Sequence, residues 1–252
     1  MRVANCKPVV LTAPYIRPGA NAQEAANSVR SCVWLRIDTD AGLTGWGEAY
    51  SGCYAPTVTV AALDRLCTGL RGCDISDPMS LMREVRFRNR YWAMRGIGAQ
   101  ATSAIEAALW DAAAQERNMP LWRLLGDGTA RPVLAYASMG ENRRMPDEIR
   151  AEAARFVEQG YRAYKLRCGG TRFEHSAGRF QLDVERVAAA REGLGPNPLL
   201  FVDVHVPQRP VPWAREEAEA FLHAIHPFRV DFLEEPAMTY DVTAYRELQS
   251  LG

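Results

Sequence analysis

Apolar and polar residues recur at two different periods along this chain, and the change of period divides it. Ser31–Asp38 (SCVWLRID) alternates at every second residue, as a half-buried strand does. Thr39–Gly42 supplies turn chemistry and Leu43–Ala49 reads as the partner strand, which predicts a β-hairpin. Three helical stretches follow. Thr57–Leu70 carries Val60, Leu63 and Leu66 inward, Met79–Arg90 begins after the break at Asp77–Pro78, and Ala99–Arg117 places Ile105, Leu109 and Ala112 or Ala113 on one face. Gly126 and Gly128 stop this pattern, which puts a boundary between residues 1–126 and 127–252.

From Arg131 onward the rhythm is different. Strand patterns at Pro132–Ser138, Ala163–Cys168, Leu199–Val206 and Val230–Leu233 alternate with helical patterns at Asp147–Gln159, Gly178–Glu192, Trp213–Ile225 and Asp241–Leu251. β-α repeated four times predicts a parallel sheet with right-handed crossovers, and so an α/β fold class.

Composition narrows the function. Thirty basic side chains balance thirty acidic ones, which argues against a nucleic-acid partner, since phosphate neutralisation needs a basic surplus. No apolar run is long enough to span a bilayer, and Lys7, Pro8 and Pro14 interrupt any signal-peptide core, so no membrane partner is expected. The six cysteines form no CxxC pair and have no histidine at zinc spacing, which predicts free thiols and a cytoplasmic location. Lysine occurs only at Lys7 and Lys165, so 28 of the 30 basic residues are arginine. Against that bias, a lysine inside a strand stands out.

The candidate chemistry lies where strands end. Lys165 and Arg167 are two apart and share a face of their strand, Asp203 and His205 do the same on the next, and Glu234 and Glu235 follow the fourth. In parallel α/β folds the C-terminal strand ends are where catalytic groups collect. Each pair alone reads as an ordinary strand-end salt bridge. All three in order point instead to Asp203 and Glu234 as hard oxygen ligands for Mg²⁺, beside a Lys/Arg pair. Glycine-rich nucleotide motifs do not compete, because Gly96 and Gly98 follow no strand.

These residues resemble the enolase superfamily, in particular its mandelate racemase and acid-sugar dehydratase branch. The N-terminal part is similar to that family's α+β capping domain through TDAGLTGWGEA at Thr39–Ala49 and SAIEAALWDAAAQERNMPLWRLLG at Ser103–Gly126. The C-terminal part is similar to the start of its modified TIM-type barrel: Tyr164–Gly169 (YKLRCG) matches the Lys-x-Lys strand, Val202–His205 (VDVH) the first metal strand, and Leu233–Pro236 (LEEP) the second. The resemblance implies Mg²⁺, a small-molecule carboxylate substrate, a homo-oligomer when full length, and removal of the proton α to the carboxylate with stabilisation of the enolate.

Two departures bear on the reaction. The position of the family's usual base is Arg167, and arginine is not deprotonated in proteins, so it is expected to hold the substrate carboxylate or to depress the pKa of Lys165. His205 stands where several dehydratases of the family carry a general acid for the leaving hydroxyl, which favours dehydration of a sugar acid over racemisation or epimerisation of a 2-hydroxy acid. Arg17 and Tyr54, in segments matching the cap loops, are candidates for the distal end of the substrate, while His175, His223 and His226 read as structural or exposed. The family's third metal ligand and its His–Asp base would fall beyond Gly252. The 252 residues equal one whole barrel of roughly 250 in length, yet read by motif they are a cap and half a barrel. A partial reading of a longer enzyme is therefore expected, inactive alone, with a non-catalytic fragment as the remaining alternative.

Overall fold

The computed structural model of the protein describes residues 1–15, 29–141, 144–169, 177–208 and 212–251. The chain divides into two compact units, Met1–Arg131 and Pro132–Gly252.

In the first unit an antiparallel sheet has the order β1-β2-β3, with β1 Val3–Pro14, β2 Val29–Thr39 and β3 Thr44–Ala49. The predicted hairpin is β2–β3. Strand β1 is an element that the hydrophobic pattern did not predict, and it contains Pro8 and Pro14. It is the edge strand, where a proline can turn its missing N–H outward, and Pro8 sits opposite Leu35 with the ladder intact. A 3₁₀ turn at Tyr50–Cys53 leads to α1 (Pro56–Cys67), α2 (Pro78–Arg88), α3 (Gly96–Glu116) and the short α4 (Leu121–Leu125). The predicted break at Asp77–Pro78 is a helix start, since the Asp77 carboxylate accepts from the Ser80 N–H at 3.1 Å.

The alternation of β2 buries Val33, Leu35 and Ile37 against Ala101, Ala104, Ile105, Ala108 and Leu109 of α3. Gly45 and Gly47 let β3 lie directly on the helix backbone: a Cβ at Gly47 would stand 2.0 Å from the carbonyl oxygen of Ala104. Backbone cannot give way as a flexible side chain can. Gly47→Ala is therefore expected to cost at least about 2 kcal/mol, read as a lower urea midpoint with little change in m.

Two cysteines depart from the expectation of free thiols. Cys6 of β1 and Cys67 at the end of α1 form a disulfide, with Cα atoms 5.5 Å apart. Sequence spacing cannot reveal a pair separated by 61 positions that only tertiary packing unites. Cys32, Cys53, Cys73 and Cys168 lie outside this disulfide.

The second unit is a parallel sheet in the order β4-β5-β6-β7, with β4 Ala137–Met139, β5 Ala163–Arg167, β6 Leu199–Asp203 and β7 Phe232–Glu234. Helices α5 (Pro146–Glu158), α6 (Ala177–Leu194), α7 (Arg215–Ile225) and α8 (Val242–Gln249) alternate with the strands. The strand expected over Pro132–Ser138 is confined to the three residues that pair with β5. One face of the sheet presents Tyr164, Leu166, Leu200 and Val202 to Ile149, Val187, Ala190 and Phe221, which together form the core. The other face carries an aromatic row, with Tyr136 5.4 Å from Phe201 and Phe201 6.0 Å from Phe232 between ring centroids. Phe232 keeps 51% of its surface exposed. No helix among the described residues is long and apolar enough to cross a membrane.

Candidate active site

Strand register assembles the site. Arg167 pairs with Asp203 and Asp203 with Glu234, so the three lie on one rung across β5, β6 and β7. Lys165 is opposite Phe201, one side chain below Asp203 on the same face. Its ammonium reaches up between the carboxylates, with Nζ 3.1 Å from Asp203 Oδ2 and 2.5 Å from Glu234 Oε2. The strand-end salt bridges of the simpler reading are thus present, but they do not exhaust the cluster.

His205 and Glu235 complete it. Both have left-handed backbone, with φ of 53° and 51°, a conformation uncommon for residues other than glycine, though His is enriched there with Asn and Asp. The hydrogen bond from Val206 N to Glu235 O at 3.1 Å ties the two bends together. Bent in this way, the imidazole has Nε2 2.8 Å from Asp203 Oδ2 and Nδ1 3.3 Å from Glu235 Oε2, without the angles of well-formed hydrogen bonds. Asp203, His205 and Glu235 lie close enough to share one ion.

Asp203 is the centre. It is 1% exposed, and its Oδ1 has no hydrogen-bond partner among the described residues. Burial pushes its carboxyl up, but His205 and Lys165 outweigh burial and hold it below the ordinary range. Burial likewise pulls Lys165 down, and the hydrogen bonds and charges of Glu234 and Asp203 more than reverse this, so the ammonium stands above its ordinary value. The expectation that Arg167 depresses the Lys165 pKa is therefore corrected, because two carboxylates contact the ammonium and decide the sign. Arg167 itself is exposed.

A divalent cation fits these residues. A buried carboxylate oxygen without a donor is costly unless something positive completes it. Asp203, Glu234 and Glu235 bring three carboxylates against Lys165 and His205, and hard oxygen donors in that setting suit Mg²⁺. Of the remaining candidates, Tyr54 belongs to the first unit, where it is 69% exposed with its ring against Tyr50. Arg17 and His175 lie outside the described residues.

Behind the strand ends stands a support that the sequence did not reveal. Arg186 of α6 is fully buried. It donates to the carbonyls of Gly140, Glu141 and Arg144 after β4, at 3.2, 2.8 and 2.9 Å, and to that of Arg167 at 3.0 Å. Asp183 accepts from it at 2.9 Å and from Gly169 N at 2.8 Å. Glu152 accepts from Tyr164 OH at 2.7 Å and from Gly140 N at 2.9 Å. Burial first, then Glu152, raises the Tyr164 hydroxyl far above its ordinary value and keeps it a donor.

Comparison with known proteins gives the family. Residues 9–126 match the mandelate racemase / muconate lactonizing enzyme N-terminal domain, and residues 148–251 match the enolase C-terminal domain-like family. The chain belongs to the enolase superfamily, in its mandelate racemase / muconate lactonizing enzyme branch. It is 28% identical over 212 residues to the 3,6-anhydro-alpha-L-galactonate cycloisomerase of Streptomyces coelicolor, covering 83% of this chain and 55% of that protein. It is 30% identical over 217 residues to the D-galactonate dehydratase of Klebsiella pneumoniae, covering 86% of this chain and 54% of that one. An enolase-superfamily structure from a Polaromonas species superposes with a TM-score of 0.80 at 26% identity, covering 100% of this chain and 63% of the other. The chain thus spans about half the length of these curated relatives.

Proposed function

We propose that the strand-end cluster binds a sugar acid by its carboxylate beside Mg²⁺, in an enzyme that removes water across the carbons next to that carboxylate. Asp203 Oδ1 carries the reading: it is buried, has no donor among the described residues, and stands in a cluster with the carboxylates of Glu234 and Glu235. Asp203 and Glu234 would hold the ion, with Glu235 at the edge of the same cluster. When bound, the ion supplies Lewis-acid stabilisation for the negative charge that grows on the substrate carboxylate as the α-proton leaves.

The chain's own side chains divide the remaining work. Lys165, charged and aimed between Asp203 and Glu234, pairs with a substrate carboxylate oxygen. Arg167 offers a second cation from the same rung. It cannot accept a proton, which leaves α-proton removal to a group outside this cluster. His205 gives a proton from its ring to the departing hydroxyl. Relatives whose names are D-galactonate dehydratase and D-mannonate dehydratase support a sugar acid as the substrate class.

The test uses the product of the complete reading frame, incubated with aldonates and aldarates and Mg²⁺. The expected result is a 2-keto-3-deoxy acid from at least one of them. His205→Asn is expected to lose it while still exchanging the substrate α-proton with deuterated solvent. Wild-type exchange without keto-acid would overturn dehydration in favour of racemisation or epimerisation.

A further inference from the structure

The first unit holds a second group of ligating side chains, which the reaction proposed above does not use. Cys32 on β2, Glu48 on β3 and Cys53 at the end of the 3₁₀ turn place their ligand atoms within 4.8 Å of one another. The local sequence builds this directly. Val33 is paired with Ala49 and Trp34 with Glu48, so Cys32 shares the outer face with Glu48 while Val33 points into the core. The chain must then turn back sharply for Cys53 to arrive. Gly52 permits it, because a Cβ there would lie 2.6 Å from both Val33 N and Val33 Cγ2. The glycine lets the turn press onto β2, and the next side chain falls beside Cys32.

The charges around the trio favour a cation. Burial, then Glu48 and Cys53, raise the Cys32 thiol above its ordinary value, so ionising it against those neighbours is unfavourable in the absence of an ion. Among the described residues a positive group faces the site: Arg30 Nη2 lies 3.9 Å from Cys53 Sγ. Arg30 is exposed, and its guanidinium also stands 5.5 Å from the Tyr15 ring centroid, so it has another place to rest.

We propose that Cys32, Cys53 and Glu48 form a site for a soft divalent cation, Zn²⁺, with an exchangeable water in the fourth position. Two thiolates and one carboxylate suit zinc, and they separate this site chemically from the all-oxygen preference of Mg²⁺ at Asp203. Binding displaces a proton from each thiol, Zn²⁺ plus two thiols giving a zinc dithiolate and two protons, so affinity rises with pH. No electron transfer is involved, and the Cys6–Cys67 disulfide is untouched.

The probe is Co²⁺ alone, added under inert gas to the whole chain with Mg²⁺ in excess to fill the oxygen site. One Co²⁺ per chain is expected, with a near-ultraviolet thiolate-to-cobalt band that Zn²⁺ abolishes. Cys32→Ser and Cys53→Ser are each expected to remove the band, and Glu48→Gln to weaken Co²⁺ binding at least tenfold. Asp203→Asn and Cys73→Ser are expected to retain it. Should a cysteine variant fold poorly, the wild-type chain still decides the matter. Zn²⁺ should protect Cys32 and Cys53 from iodoacetamide, mapped by peptide mass, and leave Cys73 labelling unchanged. A wild-type chain without the band, a band that survives in both serine variants, or equal labelling with and without Zn²⁺ would overturn the site.

Discussion

Asp203→Asn is expected to lower the affinity of the second unit for Mg²⁺, or for Mn²⁺ as its paramagnetic stand-in, by about a hundredfold or more. Loss of groups that merely orient ligands already costs 10–100-fold, and Asp203 would be a ligand itself. The physical reason lies in its two oxygens. Oδ2 is shared by Lys165 and His205, at 3.1 and 2.8 Å, whereas Oδ1 has no donor among the described residues. Replacing the carboxylate by an amide removes the charge that attracts the ion and puts an N–H₂ where a lone pair is needed. Glu234 still balances Lys165, so the strand end keeps its ion pair and the circular dichroism spectrum should be unchanged. Mn²⁺ titration by electron paramagnetic resonance reads the outcome. Equal binding by the wild-type and Asp203→Asn chains would remove the metal from the proposed function and favour a non-catalytic role.

Arg186→Met is the substitution expected to cost most in stability, about 3–5 kcal/mol, the usual range for breaking a buried charged pair from one side. Methionine fills much of the volume but supplies no donor. The carbonyls of Gly140, Glu141, Arg144 and Arg167 lose Arg186 together. Asp183 fares better, since Arg179 Nη2 remains 2.9 Å from it and Gly169 N continues to donate. Most of the cost therefore falls on backbone at the ends of β4 and β5, which carry the site. Urea denaturation followed by tryptophan fluorescence measures the loss. A double-mutant cycle with Asp183→Asn should show a coupling of about 0.5–3 kcal/mol. A midpoint within error of wild type would mean that water replaces the guanidinium, and that the strand ends are held by something else.

How much of this was legible in the chain follows from the range of each interaction. The pairs Lys165/Arg167 and Asp203/His205 could be read because a strand repeats every two residues, so spacing alone puts each pair on one face. The β-α alternation set the sheet's direction and hence which ends would gather. The part played by Glu235 was less visible. Its approach to His205 depends on a left-handed bend at each residue, and nothing in LEEP or VDVH fixes a backbone sign. Arg186 was illegible for a different reason. A charged residue on a helix normally reads as solvated surface, and only the finished fold brings four carbonyls around it. Strand β1 escaped the pattern because only Val3 of its residues is buried, so no core-facing alternation marks it, and its prolines are tolerated at a sheet edge.

The two left-handed residues also bear on how such a site can change over generations. His205 and Glu235 each hold a conformation that glycine would adopt at less cost, so random substitution meets, at these two positions, changes that relieve the backbone while discarding the chemistry. Variants selected only for robustness would drift toward glycine or asparagine there, and variants selected for turnover would be held back from it. The strand ends of β6 and β7 are therefore places where persistence of the fold and persistence of the reaction pull a lineage in opposite directions.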